Sequence, residues 1–173
     1  MTRRSRAREV ALQLLFERDH NAKLQRSDIE RFIRGRLREV ELRALCVELF
    51  DGVVQHQAEL DQRLTESADN WRLVRMATVD RNALRLGAFE LLHYPSTPPA
   101  VAFDEAIELA RRYGSADSSA FVNGVLDRLR QKNAQENSPV ESNTSPSPPD
   151  PISSPLSDSV HPTSDKPAPP GIA

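Results

Sequence analysis

Arg3, Arg4, Arg6 and Arg8 place four guanidiniums ahead of the first acidic residue, Glu9. Arginine presents a planar fork of donors that suits phosphate oxygens and stacks on bases, so such a cluster points to a nucleic-acid surface. With a helix beginning near Arg4, Arg4 and Arg8 share a face at i, i+4 and the others fan round its end. Cations at a helix N-terminus oppose the macrodipole, a cost that an anionic partner would offset. The competing reading is a basic terminus that only keeps the chain soluble. The longer basic region says less, because Arg31, Arg34, Arg36, Arg38 and Arg43 are interleaved with Glu30, Glu39 and Glu41. That pattern reads as a solvated face with helical ion pairs.

A second candidate is Gly114-Ser-Ala-Asp-Ser-Ser119, a run of small polar residues between two apolar-striped segments. Backbone amides opening the following helix can receive a phosphate; alternatively Ser115 or Asp117 is simply its N-cap. Phe121 is either an exposed stacking aromatic or part of a core seam. Catalytic chemistry finds less support. His20, His56, His93 and His161 have no partner at metal-ligand spacing, and the single cysteine, Cys46, sits on an apolar stripe. Asp104, Glu105 and Glu108 fall in the first turns after Pro98-Pro99, where negative charge suits the helix dipole. No GxGxxG or GxxxxGK phosphate loop is present. No catalytic residue, metal site or cofactor is expected, and hence no enzyme.

The elements that would position these residues are helical throughout. Ala7, Val10, Ala11, Leu14 and Leu15 recur at three- and four-residue steps. Ser27-Asp-Ile-Glu30 has the form of a capping box, predicting a second helix with Ile29, Phe32 and Ile33 inward. Leu42, Leu45, Cys46, Leu49, Val53 and Val54 stripe a third, and Leu60 and Leu64 a shorter fourth. A brief turn over 71–76 leads into a helix over 79–92 striped by Ala83, Leu84, Gly87, Leu91 and Leu92. Tyr94-Pro95 stops it, Thr97-Pro98-Pro99 starts the next, and Gly114 is its natural C-cap. Phe121, Val122, Val125, Leu126 and Leu129 form the last seam. No segment alternates like a strand, so the expected fold is an all-α bundle of seven or eight helices.

Composition divides the chain. Of 13 prolines, 10 follow Asn133, together with nine serines. Residues 1–133 carry 22 Lys+Arg, all but two of them arginine, and 20 Asp+Glu, whereas residues 134–173 carry a net charge of −4. A helical domain over 1–133 and a disordered, acidic Pro/Ser-rich tail over 134–173 are expected, the tail reading as a solubilising extension, with a polyproline ligand as the alternative. The body is long enough to build its own core. One cysteine fits a reducing compartment, Glu9, Gln13, Glu17, Arg18 and Asp19 interrupt any secretory apolar run, and no stretch reaches membrane-spanning length. The cytoplasm is the expected location.

Four blocks carry a family resemblance: Arg6-Ala-Arg-Glu-Val-Ala-Leu-Gln13, Asp80-Arg-Asn-Ala-Leu-Arg-Leu-Gly-Ala-Phe-Glu-Leu91, Val101-Ala-Phe-Asp-Glu-Ala-Ile-Glu-Leu-Ala110 and Phe121-Val-Asn-Gly-Val-Leu-Asp127. In this order and spacing, from residue 3 to about 130, the chain resembles the NusB family of transcription antitermination factors. The resemblance implies a compact all-α fold. It also implies binding to single-stranded boxA RNA of ribosomal-RNA leader transcripts, jointly with NusE, a small-subunit ribosomal protein. The pair joins RNA polymerase and other Nus factors to suppress termination. On this basis Arg3, Arg4, Arg6 and Arg8, with Ser115, Asp117, Ser118, Ser119 and Phe121, are expected at RNA, and Phe16 and Asp80 at NusE. Two positions depart from the family pattern: Asp104 replaces a usual Asn, and Ala120 replaces a frequent basic residue. Two alternatives are a purely protein-binding helical scaffold and a detached domain of the ribosomal-RNA cytosine methyltransferase type. Nothing after Asn133 resembles a methyl-donor domain.

Overall fold

Ala7, Val10, Ala11, Leu14 and Leu15 are all buried, and they make α1 (Arg3–His20) the helix around which the others assemble. The computed structural model describes residues 2–68 and 75–136. α1 is followed by α2 (Arg26–Arg36), α3 (Val40–Gln55), α4 (Gln57–Ser67), α5 (Thr78–His93), α6 (Pro99–Tyr113) and α7 (Ser118–Glu136). Among the described residues these seven helices are accompanied by no strand. α1 lies chiefly on α3 and α5, α5 on α6, and α6 on α7. The expected stripes face inward: Leu45, Cys46, Leu49 and Val53 from α3, Leu60 and Leu64 from α4, and Val122, Val125, Leu126 and Leu129 from α7 are buried. Burial, with a small contribution from Asp51, pushes the Cys46 thiol up to about 12, so it remains protonated in the core.

Gly87 is required by packing. A Cβ there would lie 2.8 Å from both the Ala106 Cβ and the Leu126 Cδ1, so the bare backbone lets α5, α6 and α7 converge. Pro99 opens α6 as the sequence predicts, and Gly114 closes it by donating its N–H to the Ala110 carbonyl at 2.8 Å.

Two local expectations are corrected. α2 starts at Arg26 rather than at a Ser27 box: the Asp28 carboxylate accepts from the Gln25 N–H at 3.4 Å, and Glu30 pairs with Arg26 and Arg34. The first turn of α6 contains no acid, and Glu105 turns inward toward α1 instead of serving the dipole. His56 and His93, distant in sequence, stack with ring centroids 4.3 Å apart. The expected turn over 71–76 lies mostly outside the described residues, as do His161 and the acidic tail beyond Glu136.

Candidate nucleic-acid interface

The first turn of α1 is pinned on two sides. Thr2 Oγ1 accepts the Ser5 N–H at 3.1 Å, and the buried Ser5 hydroxyl donates to Glu105 Oε1 on α6 at 2.5 Å. Arg3 projects outward with 80% of its side chain exposed, and its 3.2 Å pair with Glu39 is a surface contact of little energetic worth. Arg4 is exposed and makes no ion pair among the described residues. Arg6 is 43% exposed while Nη1 donates to Glu9 Oε1. Arg3 and Arg6 thus each meet a carboxylate, yet Arg3, Arg4 and Arg6 all keep side chain at the surface.

Arg8 does not belong to that surface, which corrects the expectation that it shares an exposed face with Arg4. It is 2% exposed, and its Nε and Nη2 grip Glu90 at 2.9 and 2.7 Å, with Thr97 Oγ1 donating to the same carboxylate at 2.9 Å. Burial works against the Arg8 charge, but the Glu90 carboxylate more than reverses this and raises Arg8 above its ordinary value. The reason is that α1 is central. Ala7 through Leu12 are buried on every side of the helix, so the terminal positions alone can show cations to water.

The α6–α7 loop lies next to this terminus through Tyr113, the last residue of α6. Its hydroxyl donates to the same Glu9 Oε1 that holds Arg6. Burial raises the Glu9 carboxyl, but the bonds from Tyr113 and Arg6 outweigh it and hold Glu9 below the ordinary carboxylate range. A Cβ on Gly114 would stand 2.5 Å from the Ser118 Cβ and 2.6 Å from the Ala110 carbonyl, so only glycine fits this reversal. The Ser115 N–H then donates to Ser118 Oγ at 2.8 Å, and the Asp117 carbonyl takes the first helical bond of α7, from Phe121 N–H at 3.0 Å. Ser118 is thus buried and engaged in the turn, Ser115 and Asp117 are exposed, and Ser119 and Phe121 are half-buried.

Two open cavities flank the α5 N-terminus. One, of about 340 Å³, is lined by Asp80, Ser115, Asp117, Ser118 and Phe121 together with Arg75. Asp80 is 9% exposed, and its buried Oδ1 has no hydrogen-bond partner. The other, of about 400 Å³, is lined by Phe16, Leu12, Gln13, Phe32, Val79 and Tyr113. Phe16 is 40% exposed and stacks on His20 at 4.3 Å. Phe16 and Asp80 therefore line different cavities: Val79 is the α5 residue beside Phe16, and Asp80 accompanies the serine loop. Sequence reasoning missed Glu9 and Tyr113. The i, i+3 spacing of Arg6 and Glu9 was a usable signal for the first; nothing local announces the second. Among the described residues no three His, Cys, Asp or Glu side chains converge as metal ligands.

Residues 5–131 match the family model described as the NusB family. The chain belongs to the NusB family. It is 47% identical over 131 residues to the transcription antitermination protein NusB of Sorangium cellulosum, covering 76% of this chain and 94% of that protein. It is 38% identical over 129 residues to NusB of Desulfatibacillum aliphaticivorans, covering 75% and 90%. In three dimensions it is similar to NusB in a crystal structure of the antitermination factors NusB and NusE with double-stranded RNA. That likeness has a TM-score of 0.69 at 26% identity, covering 76% of this chain and 98% of the solved one. The terminal arginines from Arg6 on, the serine loop and Phe16 all lie inside the NusB match. No helix among the described residues is long and apolar enough to cross a membrane.

Proposed function

We propose that this NusB-family chain is a non-enzymatic RNA-binding adaptor of transcription antitermination. It binds single-stranded boxA RNA of ribosomal-RNA leader transcripts together with NusE, and the pair joins RNA polymerase and other Nus factors to carry transcription through terminators. One observation carries the reading: Arg3, Arg4 and Arg6 are exposed at the end of α1 that Tyr113 links to the Ser115–Phe121 loop. Cations supply phosphate contacts, and a half-buried aromatic supplies a stacking face, the two ingredients of single-strand binding. Arg8 acts here from inside, by fixing the helix that bears the other three. Phe16 offers NusE an apolar foothold further along α1 from the arginines, in a cavity that Tyr113 also lines. The helical body is read as the RNA-binding domain through residue 133, with the acidic tail beyond it, and the cytoplasm is where such a transcript is met.

Gel-shift titration with a boxA oligonucleotide, with and without NusE, tests this. A double-stranded oligonucleotide is included because the solved NusB–NusE complex holds a duplex. Binding to the boxA strand that tightens with NusE is expected. Binding to NusE alone would favour a protein scaffold, and preference for the duplex would overturn the single-strand reading.

A further inference from the structure

Glu9 is a buried carboxylate whose two close partners both belong to the candidate interface. Oε1 accepts from Arg6 in the basic terminus and from Tyr113 at the end of α6, and Gln13 Nε2 approaches the same oxygen at 3.5 Å. Burying a carboxylate is costly unless it is paired and hydrogen-bonded, and here one of the two partners, Tyr113, comes from 104 residues along the chain. From Tyr113 the linkage continues into the α6–α7 loop. Tyr113 precedes Gly114, whose close contacts with Ala110 and Ser118 fix the reversal, and Ser115 is bonded in turn to Ser118 Oγ. A path of hydrogen bonds and tight packing therefore runs from the Arg6 guanidinium to the first turn of α7.

We propose that Glu9 is a positioning residue for RNA: it sets the separation between the Arg6 guanidinium and the α6–α7 loop so that one strand meets both. This rests on the RNA-binding reading above. Arginine has five N–H donors. Glu9 engages Nη1, while 43% of the side chain stays exposed, so orienting Arg6 does not consume it. A strand whose bases fit the α6–α7 loop then meets a guanidinium already oriented at the matching separation, which lowers the ordering cost for that strand over one whose bases do not fit. Tyr113 is the second anchor, because without its hydroxyl the loop loses its tie to α1.

The test compares Tyr113→Phe and Glu9→Gln with the wild-type full chain, titrating a boxA strand and a scrambled strand of equal length and charge at fixed salt. Tyr113→Phe leaves every formal charge in place at neutral pH, so the sequence-independent electrostatic term should not change. The expected result for both variants is a boxA-to-scrambled affinity ratio reduced about five- to tenfold, as for a lost charge-assisted hydrogen bond. Tyr113→Phe should keep its affinity for the scrambled strand, and its thermal melt should stay cooperative, lowered only by the lost bond to the buried Glu9 carboxylate. Equal weakening on both strands, or an unchanged ratio in both variants, overturns the positioning role while leaving RNA binding standing. A wild-type chain that binds neither strand overturns the RNA reading, and this inference with it.

Discussion

The Arg8 guanidinium and the Glu90 carboxylate meet edge to edge between α1 and α5, with Nη2 to Oε1 at 2.7 Å and Nε to Oε2 at 2.9 Å, sealed from water at 2% and 1% side-chain exposure. An arginine that reads in sequence as one of four equivalent phosphate ligands is in fact a bolt between two helices. Its neighbours Thr97 and Glu105 complete the enclosure.

Removing one member of this pair should be far worse than removing both. Glu90→Leu strands a buried guanidinium and is expected to cost about 3–5 kcal/mol, whereas the double variant Arg8→Met/Glu90→Leu should recover most of the loss. Urea denaturation measures both. The double variant should also keep the salt dependence of RNA binding, since Arg8 lies out of reach of phosphate.

The exposed arginines should behave in the opposite way. Replacing Arg3 or Arg4 singly by Ala is expected to leave folding stability within about 0.5 kcal/mol, as for ordinary surface positions, whereas Arg6→Ala removes a partner of the buried Glu9 carboxylate and should cost about 1–3 kcal/mol. Each residue that does contact a phosphate should reduce the log–log salt slope of single-strand binding by about 0.7. Affinity measured across a salt series checks this residue by residue, and slopes unchanged in all three variants would remove the terminus from the interface.

Phe16→Ala tests whether partner binding separates from RNA binding. Its ring is 40% exposed and rests on His20, so Phe16→Ala should disturb the core little. If NusE seats on this cavity, loss of the aromatic anchor should weaken NusE binding by about 2 kcal/mol, roughly thirtyfold, with affinity for RNA alone intact. Calorimetric titration of NusE, run beside an RNA titration, distinguishes the two effects.

Acid should loosen the fold through Glu9 and Asp19. For Asp19, burial raises the carboxyl, but the bond from Arg81, the charge of Arg85 and the bond from Asn82 together hold it below its ordinary value. Glu9 is held low in the same sense. With both folded-state values depressed, the unfolded chain takes up protons first as pH falls. Stability from these groups is therefore complete above their ordinary values of 3.8 and 4.5 and is lost progressively below them. Denaturation midpoints should be flat from pH 7 to about 5 and decline beneath that. Asp19→Asn should be less stable at pH 7 and should lose less on acidification.

Much of the architecture was legible because it is periodic. The Ala7–Leu15 stripe, the Leu84 and Gly87 face and the Val122–Leu129 seam are one-dimensional patterns that a helix converts directly into a buried side. Pro99 and Gly114 marked their boundaries through local sterics. What escaped is what only the third dimension supplies. Arg8 finds Glu90 across 82 residues and Tyr113 finds Glu9 across 104. No spacing rule tells an arginine bound for water from one bound for a buried acid. The α2 start was misplaced for a subtler reason: Ser27 and Glu30 have the right spacing, but Gln25 and Asp28 have it too, and Glu30 is drawn off by Arg26 and Arg34.

Because Arg6 and Phe16 stand on one uninterrupted helix, ten residues of rise, about 15 Å, part the two ends of that rod. Any cargo bound at Arg6 and any bound at Phe16 would be held at a set offset and a set angle, as on a calliper with no joint. Inserting a single residue between them would swing one jaw by about 100° relative to the other. The buried stripe from Ala7 to Leu15 would turn with it, so such an insertion would disrupt the packing of α1 as well as the offset.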